Sequence, residues 1–294
     1  MFCGSLVAIV TPMRGDGSID FDAWSRLIEF QLANGTTGIV VGGTTGESPT
    51  LLDAELRQLT LRALDQARGK AVIVAGAGTN STASSIERAE WLSDLQVDAL
   101  LVVTPAYNRP TQEGLFRHYE AVAKAARVPV ILYNVPGRTS VDLLPQTVER
   151  LSALPRIVAL KEAVPDMQRV RQIVAACPAE FAVLSGDDLT AREAIGAGAV
   201  GVVSVTANVV PRAMADMVGA ARRGDWQAAA EIDRRLNALH HNLFVEANPI
   251  PVKWALARMG MIAPGIRLPL TELSASWHSA VSESLAAAGV ALNS

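Results

Sequence analysis

Short apolar runs without polar interruption recur through the first two thirds of the chain, and they restrict the fold more than any other feature. They are Leu6–Val10, Gly38–Val41, Ala71–Ala75, Ala99–Val103, Val130–Tyr133, Ile157–Leu160, Ala182–Leu184 and Val200–Val205. A strand with one wet face alternates apolar and polar side chains. An unbroken run suits a strand covered on both faces, as in a parallel sheet. Between the runs lie stretches of helical periodicity. One spans about Asp22 to Leu32, with Trp24, Leu27, Ile28 and Leu32 on one face and Asn34-Gly35 as a stop signal. Others begin near Asp53, Thr82, Thr111, Leu144, Asp166, Asp188 and Pro211. Eight strand–helix units in succession predict an α/β fold of the (β/α)8 TIM-barrel type. The first run ends Val10-Thr11-Pro12, without the glycine fingerprint that follows the first strand of a dinucleotide-binding sheet. From about Asp225 the strands stop, and helical sequence continues through Trp226–Leu243, Pro251–Met259 and Leu270–Ala288. The expected organisation is a catalytic barrel over residues 1–224 and a C-terminal helical appendage over 225–294.

Composition removes several function classes. The formal charge is −3 and no basic block occurs, so nucleic acid is not an expected partner. The apolar runs are too short to cross a bilayer, and Met1–Ser5 lacks the positive flank of a signal peptide. A cytoplasmic protein is expected, with no membrane partner. Cys3 and Cys177 stand far apart without metal spacing and read as free thiols. His118, His240, His241 and His278 fall in helical sequence with no ligand-spaced acid or thiol, so no metal is expected.

A barrel of this kind does its chemistry where the strands end. There the sequence places Gly43-Thr44-Thr45-Gly46-Glu47, Thr104 to Asn108, Tyr133 to Arg138, Lys161-Glu162, Ser185-Gly186-Asp187-Asp188 and Ser204-Val205-Thr206. Of the four lysines, Lys70 precedes the third strand, Lys124 lies in a helix and Lys253 in the helical tail. Lys161 alone stands at a strand end. It reads either as a cation paired with Glu162 or an aspartate, or as a nucleophile. A neutral lysine amine attacks a ketone to give a carbinolamine and then an iminium, an electron sink that lets the adjacent carbon become an enamine. Burial favours the neutral form of any lysine. Such chemistry requires no metal or nicotinamide cofactor. It does require a hydroxyl that moves protons, and Tyr133 on the neighbouring fifth strand can supply one. Thr44 and Tyr107 can relay protons onward. The Gly43–Gly46 stretch reads as a plain turn or as a cradle for a substrate carboxylate. Arg138 reads as a loop salt bridge or as a fork for a second carboxylate. Asp187 and Asp188 read as a helix N-cap and dipole partner rather than as catalysts. Gly196-Ala197-Gly198 precedes the eighth strand and therefore lies on the wrong face for a phosphate loop.

With these residues assembled, the chain resembles the dihydrodipicolinate synthase family over nearly its whole length. The motifs are Gly43–Glu47, Thr104–Pro110, Tyr133–Thr139, Lys161–Ala163, Ser185–Asp188, Ser204–Asn208 and Asn248–Trp254. The first motif and the lysine belong to pyruvate aldolases at large, whereas Tyr-Asn-Val-Pro-Gly-Arg-Thr and Asn-Pro-Ile-Pro-Val-Lys-Trp are more specific. The resemblance implies Schiff-base condensation of pyruvate with L-aspartate 4-semialdehyde, on the route to diaminopimelate and lysine. It implies Lys161 as the Schiff-base residue and Tyr133 as general acid/base, with Thr44 and Tyr107 completing a relay and Tyr107 coming from a neighbouring subunit. Thr45 would hold the pyruvate carboxylate and Arg138 that of the aldehyde, with Gly186 and Val203 also at the substrate. A homotetramer, a dimer of dimers, is implied as well. Two other readings stay open: a sister lyase for a sialic acid or keto-deoxy sugar acid, which should lack an arginine at position 138, and a non-catalytic keto-acid-binding barrel.

The chain departs from the family pattern at Ala106, where paired tyrosines are common, and at Val164-Pro165, where threonine-glycine is usual. It also has Asp53, Leu56 and Ser84 where a lysine-feedback site has two histidines and a glutamate, while Ser48 and Asn80 remain. Loss of those polar partners weakens recognition of an amino acid. Condensation assayed in sub-millimolar L-lysine is therefore expected to run at its uninhibited rate.

Overall fold

The computed structural model describes residues 2–292; Met1 and the last two residues of the expected appendage, 293–294, lie outside it. Strands β1 (Gly4–Ala8), β2 (Gly38–Val41), β3 (Val72–Gly76), β4 (Ala99–Val103), β5 (Val130–Asn134), β6 (Ile157–Glu162), β7 (Ala182–Ser185) and β8 (Gly201–Ser204) form a closed barrel in sequence order. All pairings are parallel, including the seam between β1 and β8. The connecting helices are α1 (Phe21–Ala33), α2 (Asp53–Ala67), α3 (Thr82–Asp94), α4 (Gln112–Ala125), α5 (Pro136–Thr139), α6 (Pro145–Ser152), α7 (Met167–Ala176), α8 (Ala191–Gly196) and α9 (Pro211–Arg222). Helices α10 (Trp226–Asn242), α11 (Ile250–Arg258) and α12 (His278–Ala287) complete the chain.

The continuous apolar runs have the cause expected of them. Along each strand one set of side chains enters the barrel and the alternate set packs under the helices. Leu6, Val40, Val74, Leu101, Ile131 and Leu184 belong to the inner cluster. Val7, Ile39, Ile73, Leu100, Leu132 and Val183 belong to the outer one, together with helix residues such as Trp24 and Leu59. Helix ends follow local chemistry: the Asp20 carboxylate accepts from Asp22 and Ala23 N–H at the start of α1, and the Asp166 carboxylate caps α7 in the same way.

Several boundaries differ from the sequence reading. β1 begins at Gly4 because Gly4 and Ser5 pair with Gly201 and Val202, whereas Val10 has left the ladder and its N–H donates to Asn208 Oδ1. β5 and β6 run on through Asn134 and Glu162, polar residues that no apolar run includes. The helix expected over Leu270–Ala288 is continuous only within α12; Leu270 N–H is bound to Arg267 O and Ser274 N–H to the Glu246 carboxylate. Asp188 caps no helix. Its Oδ2 accepts from Val205 and Thr206 N–H, tying the loop after β7 to the end of β8, while Asp187 accepts from the N–H and hydroxyl of Thr190.

The seam that closes the barrel opens on a pair of glycines. Gly4 pairs with Gly201, and a Cβ on Gly201 would sit 2.2 Å from Gly4 O and 2.6 Å from Gly4 N. The nearest atoms are all backbone of Gly4, so no flexible side chain is there to yield. Gly201→Ala is expected to cost about 2–3 kcal/mol, read as a lowered urea midpoint.

Candidate active site

The register between β5 and β6 builds the centre of the site. Tyr133 pairs with Lys161, and Asn134 pairs with Glu162. Lys161 follows Ala159 by two residues and Tyr133 follows Ile131 by two, so both continue the inward-facing set at the mouth. Both are buried, with Lys161 5% and Tyr133 6% exposed. The Lys161 Nζ stands over the Tyr133 ring, 4.2 Å from its centroid. Gly186 approaches the same lysine from the loop after β7: a Cβ there would lie 3.1 Å from Lys161 Cε and 2.9 Å from Ala163 Cβ. Only a glycine leaves the lysine stem its place. Val203 is buried in the inner cluster on β8.

Glu162 is not the partner of Lys161. It points the other way, beneath the helices, where Arg169 Nε of α7 meets its Oε2 at 2.8 Å. Asn134 Nδ2 donates to both Glu162 oxygens, at 3.0 and 3.2 Å, and Val164 N–H donates to Oε1 at 2.9 Å. The Arg169 fork also takes Asp142 at 3.0 and 2.8 Å and reaches Leu143 O at 2.6 Å. Burial pushes the Glu162 carboxyl above its ordinary value of 4.5, against the pull of the guanidinium and the donors around it. The network thus grips β5 and β6 from outside, at the two residues that alternate with the inward pair.

The Gly43–Glu47 stretch is a tight turn. Gly46 N–H bonds Gly43 O at 3.0 Å, Glu47 N–H bonds Thr44 O at 3.1 Å, and Thr11 Oγ1 donates to Gly46 O at 2.7 Å. Thr45 is buried and accepts from Asn248 Nδ2 at 2.9 Å; Thr44 is half-buried. Arg138, in α5, reaches out of its own loop: its guanidinium donates to the carbonyl of the same Asn248 at 3.3 Å. Thr44, Val103, Val135 and Arg138 line an open cavity of about 490 Å³ at the strand ends. Ser48, Asn80 and Arg88 line it too, with Arg88 Nε on Asp53 Oδ1 at 2.9 Å. A larger concavity, about 840 Å³, lies at the opposite end of the barrel, beside Lys70 and Asp98. It holds none of the Lys161 constellation, and that end of a barrel serves stability.

Tyr107 stands apart. It is 89% exposed at φ 72°, on a loop where Arg109 is also left-handed at φ 49°, and the single chain does not bring it to Lys161. Lys253, set aside in sequence as a tail residue, is 3% exposed and forms an ion pair with Glu47. Burial pulls its ammonium below the ordinary lysine value, with Glu47 opposing. Two buried histidines serve structure: His118 Nδ1 meets Thr82 Oγ1 at 2.9 Å and His240 Nδ1 meets Thr206 Oγ1 at 2.8 Å. Burial drops the His118 imidazole to about 4.

The family model described as the dihydrodipicolinate synthetase family matches residues 1–288. The chain belongs to the dihydrodipicolinate synthetase family. A 4-hydroxy-tetrahydrodipicolinate synthase of Thioalkalivibrio sulfidiphilus is 52% identical over 293 residues, covering 100% of both chains. The crystal structure of the chloride-inhibited dihydrodipicolinate synthase of Acinetobacter baumannii with pyruvate is 46% identical, at TM-score 0.97, over 99% of this chain and 100% of that one. A structure described as the first monomeric dihydrodipicolinate synthase variant is 39% identical, at TM-score 0.96, over 99% and 98%. Within this synthetase family fold, residues that carry no role in the sequence reading stand around the site: Asn134, Asp142 and Arg169 behind the strands, and Asn248 and Lys253 above the turn. The polar pairs Asn134/Glu162 and Asn248/Lys253 could have been noticed in sequence, but nothing local names their partners.

Removing Arg169 would leave Glu162 buried without its counter-charge. Arg169→Met is expected to destabilise the fold by about 3–5 kcal/mol at pH 8. An acid whose folded pKa is raised binds more protons folded than unfolded, so stability falls as pH rises above about 4.5, and loss of the guanidinium that opposes burial raises Glu162 further and steepens that fall in the variant. The variant's deficit is therefore expected to shrink towards pH 5, as urea unfolding at the two pH values would show.

Proposed function

We propose that this chain condenses pyruvate with L-aspartate 4-semialdehyde to give 4-hydroxy-tetrahydrodipicolinate, through a Schiff base on Lys161. The observation that carries the reading is a buried, inward-facing lysine set across the register from a tyrosine at the barrel mouth. The site residues act as follows. The neutral Lys161 amine attacks the pyruvate ketone, and loss of water leaves the iminium. A methyl proton is then removed, and the resulting enamine carbon adds to the aldehyde of the second substrate. Attack of that substrate's own amino group on the iminium carbon releases the lysine and closes the ring. Tyr133 is the general acid/base, with Thr44 and Tyr107 as its relay. Thr45 holds the keto-acid carboxylate and Arg138 the carboxylate of the aldehyde, its planar fork suited to bidentate binding. Gly186 and Val203 shape the space beside the lysine. Arg138 at the cavity favours the semialdehyde over a sugar acid.

The highly exposed Tyr107 supports a homo-oligomer, a tetramer built as a dimer of dimers, in which this residue completes a neighbour's site. The region 225–294 is then an appendage of the catalytic barrel 1–224 rather than a second enzyme. No helix among the described residues is long and apolar enough to cross a membrane, in keeping with a cytoplasmic enzyme.

Borohydride reduction in the presence of pyruvate is expected to leave a carboxyethyl group on the Lys161 peptide, read by mass spectrometry. Lys161→Ala should lose both the adduct and the condensation, and Tyr133→Phe should slow turnover by about 10²–10⁴. An active Lys161→Ala variant, or an adduct on Lys253, would refute the assignment.

A further inference from the structure

Glu47 closes the threonine turn in a conformation that a non-glycine residue adopts rarely on its own, φ 59° and ψ 37°. Something outside the turn must hold it there. Both carboxylate oxygens are engaged by the C-terminal region: Oε1 by Lys253 Nζ of α11, and Oε2 by the Arg267 N–H at 3.1 Å. The side chains of the ion pair are 3% and 1% exposed. A pair so buried gains little net stability over an apolar pair of the same shape, but moving either partner is costly. It therefore fixes position better than it adds stability. Glu47 N–H is in turn bonded to Thr44 O, so a shift at one end of the turn is felt at the other. Asn248, five residues before Lys253, holds Thr45 Oγ1 independently at 2.9 Å.

We infer that the Lys253–Glu47 pair is a positioning element for the keto-acid carboxylate, through which the C-terminal segment sets where Thr44 and Thr45 present their groups. The inference rests on the assignment of those threonines to pyruvate and its proton relay made above. Lys253 reaches no substrate in this account; its Nζ is taken by Glu47, and it acts only through the turn. The Arg267 side chain extends the hold to the segment after the turn, with Nη1 on Thr50 O at 2.7 Å and on Glu55 at 2.8 Å.

Steady-state kinetics of Lys253→Met with each substrate varied in turn tests this. The KM for pyruvate is expected to rise about tenfold or more, while that for the semialdehyde stays within about twofold. With pyruvate raised to saturation, borohydride should still label Lys161 fully. A side chain serving stability alone would lower the unfolding midpoint and leave the pyruvate KM of the folded enzyme unchanged. The double variant Glu47→Gln/Lys253→Met leaves no unpaired buried charge yet lacks the ionic tether, so its pyruvate KM should rise as well. An unchanged pyruvate KM in either folded variant overturns the inference. Failure of the wild-type enzyme to be labelled would instead overturn the Schiff-base reading.

Discussion

The site depends on the pairing of two neighbouring strand ends. In β5 and β6 the last residues alternate faces, so one register sets two layers at once. Tyr133 and Lys161 enter the barrel, while Asn134 and Glu162 enter the space beneath the helices. A slip by one residue would turn the amine out of the barrel interior and the carboxylate into it. Glu162, Asn134, Arg169 and Asp142 hold that register by hydrogen bonds among two strands, a helix and the loop before α6.

Stability and geometry are supplied by different parts of the molecule. Each fully buried leucine, isoleucine or valine contributes about 1.5–3 kcal/mol, and both faces of the strands are covered by such residues. A buried ion pair, by contrast, loses in desolvation about what it gains in attraction. The apolar layers therefore make the barrel stable, and its polar contacts aim the reactive groups. This division also explains one glycine beside the lysine and one at the far end of the barrel. At Gly186 a side chain would meet the lysine stem, and at Gly201 it would meet the backbone of the seam.

The C-terminal helices bear on the same geometry from the open end. Asn248 links Thr45 to Arg138 through its amide and its carbonyl, and Lys253 lies against Glu47. Groups proposed for two different substrates are thus referred to one short segment that is remote from both in sequence. A barrel mouth is otherwise made of loops, which hold side chains less firmly than strands do. Contacts to a packed helix restore that firmness.

The sequence by itself determined the architecture, because the unbroken apolar runs and the helical periodicity between them are local patterns that admit one arrangement of layers. It also determined which lysine stands at a strand end, since Lys161 directly follows an apolar run while Lys70 precedes one. The resemblance in motif added which residues act on which substrate. Only the tertiary structure decided the partners. Glu162 reads in sequence as the neighbour of Lys161, yet strand pleating sends it to Arg169. Lys253 reads only as a residue of the helical tail, yet it is buried against Glu47, more than 200 positions away. Asp188 reads as a cap, yet it serves the end of β8. Local pattern records which face a residue takes and which element it joins. Which charge meets it there depends on how distant elements pack, and no periodicity of one segment carries that information.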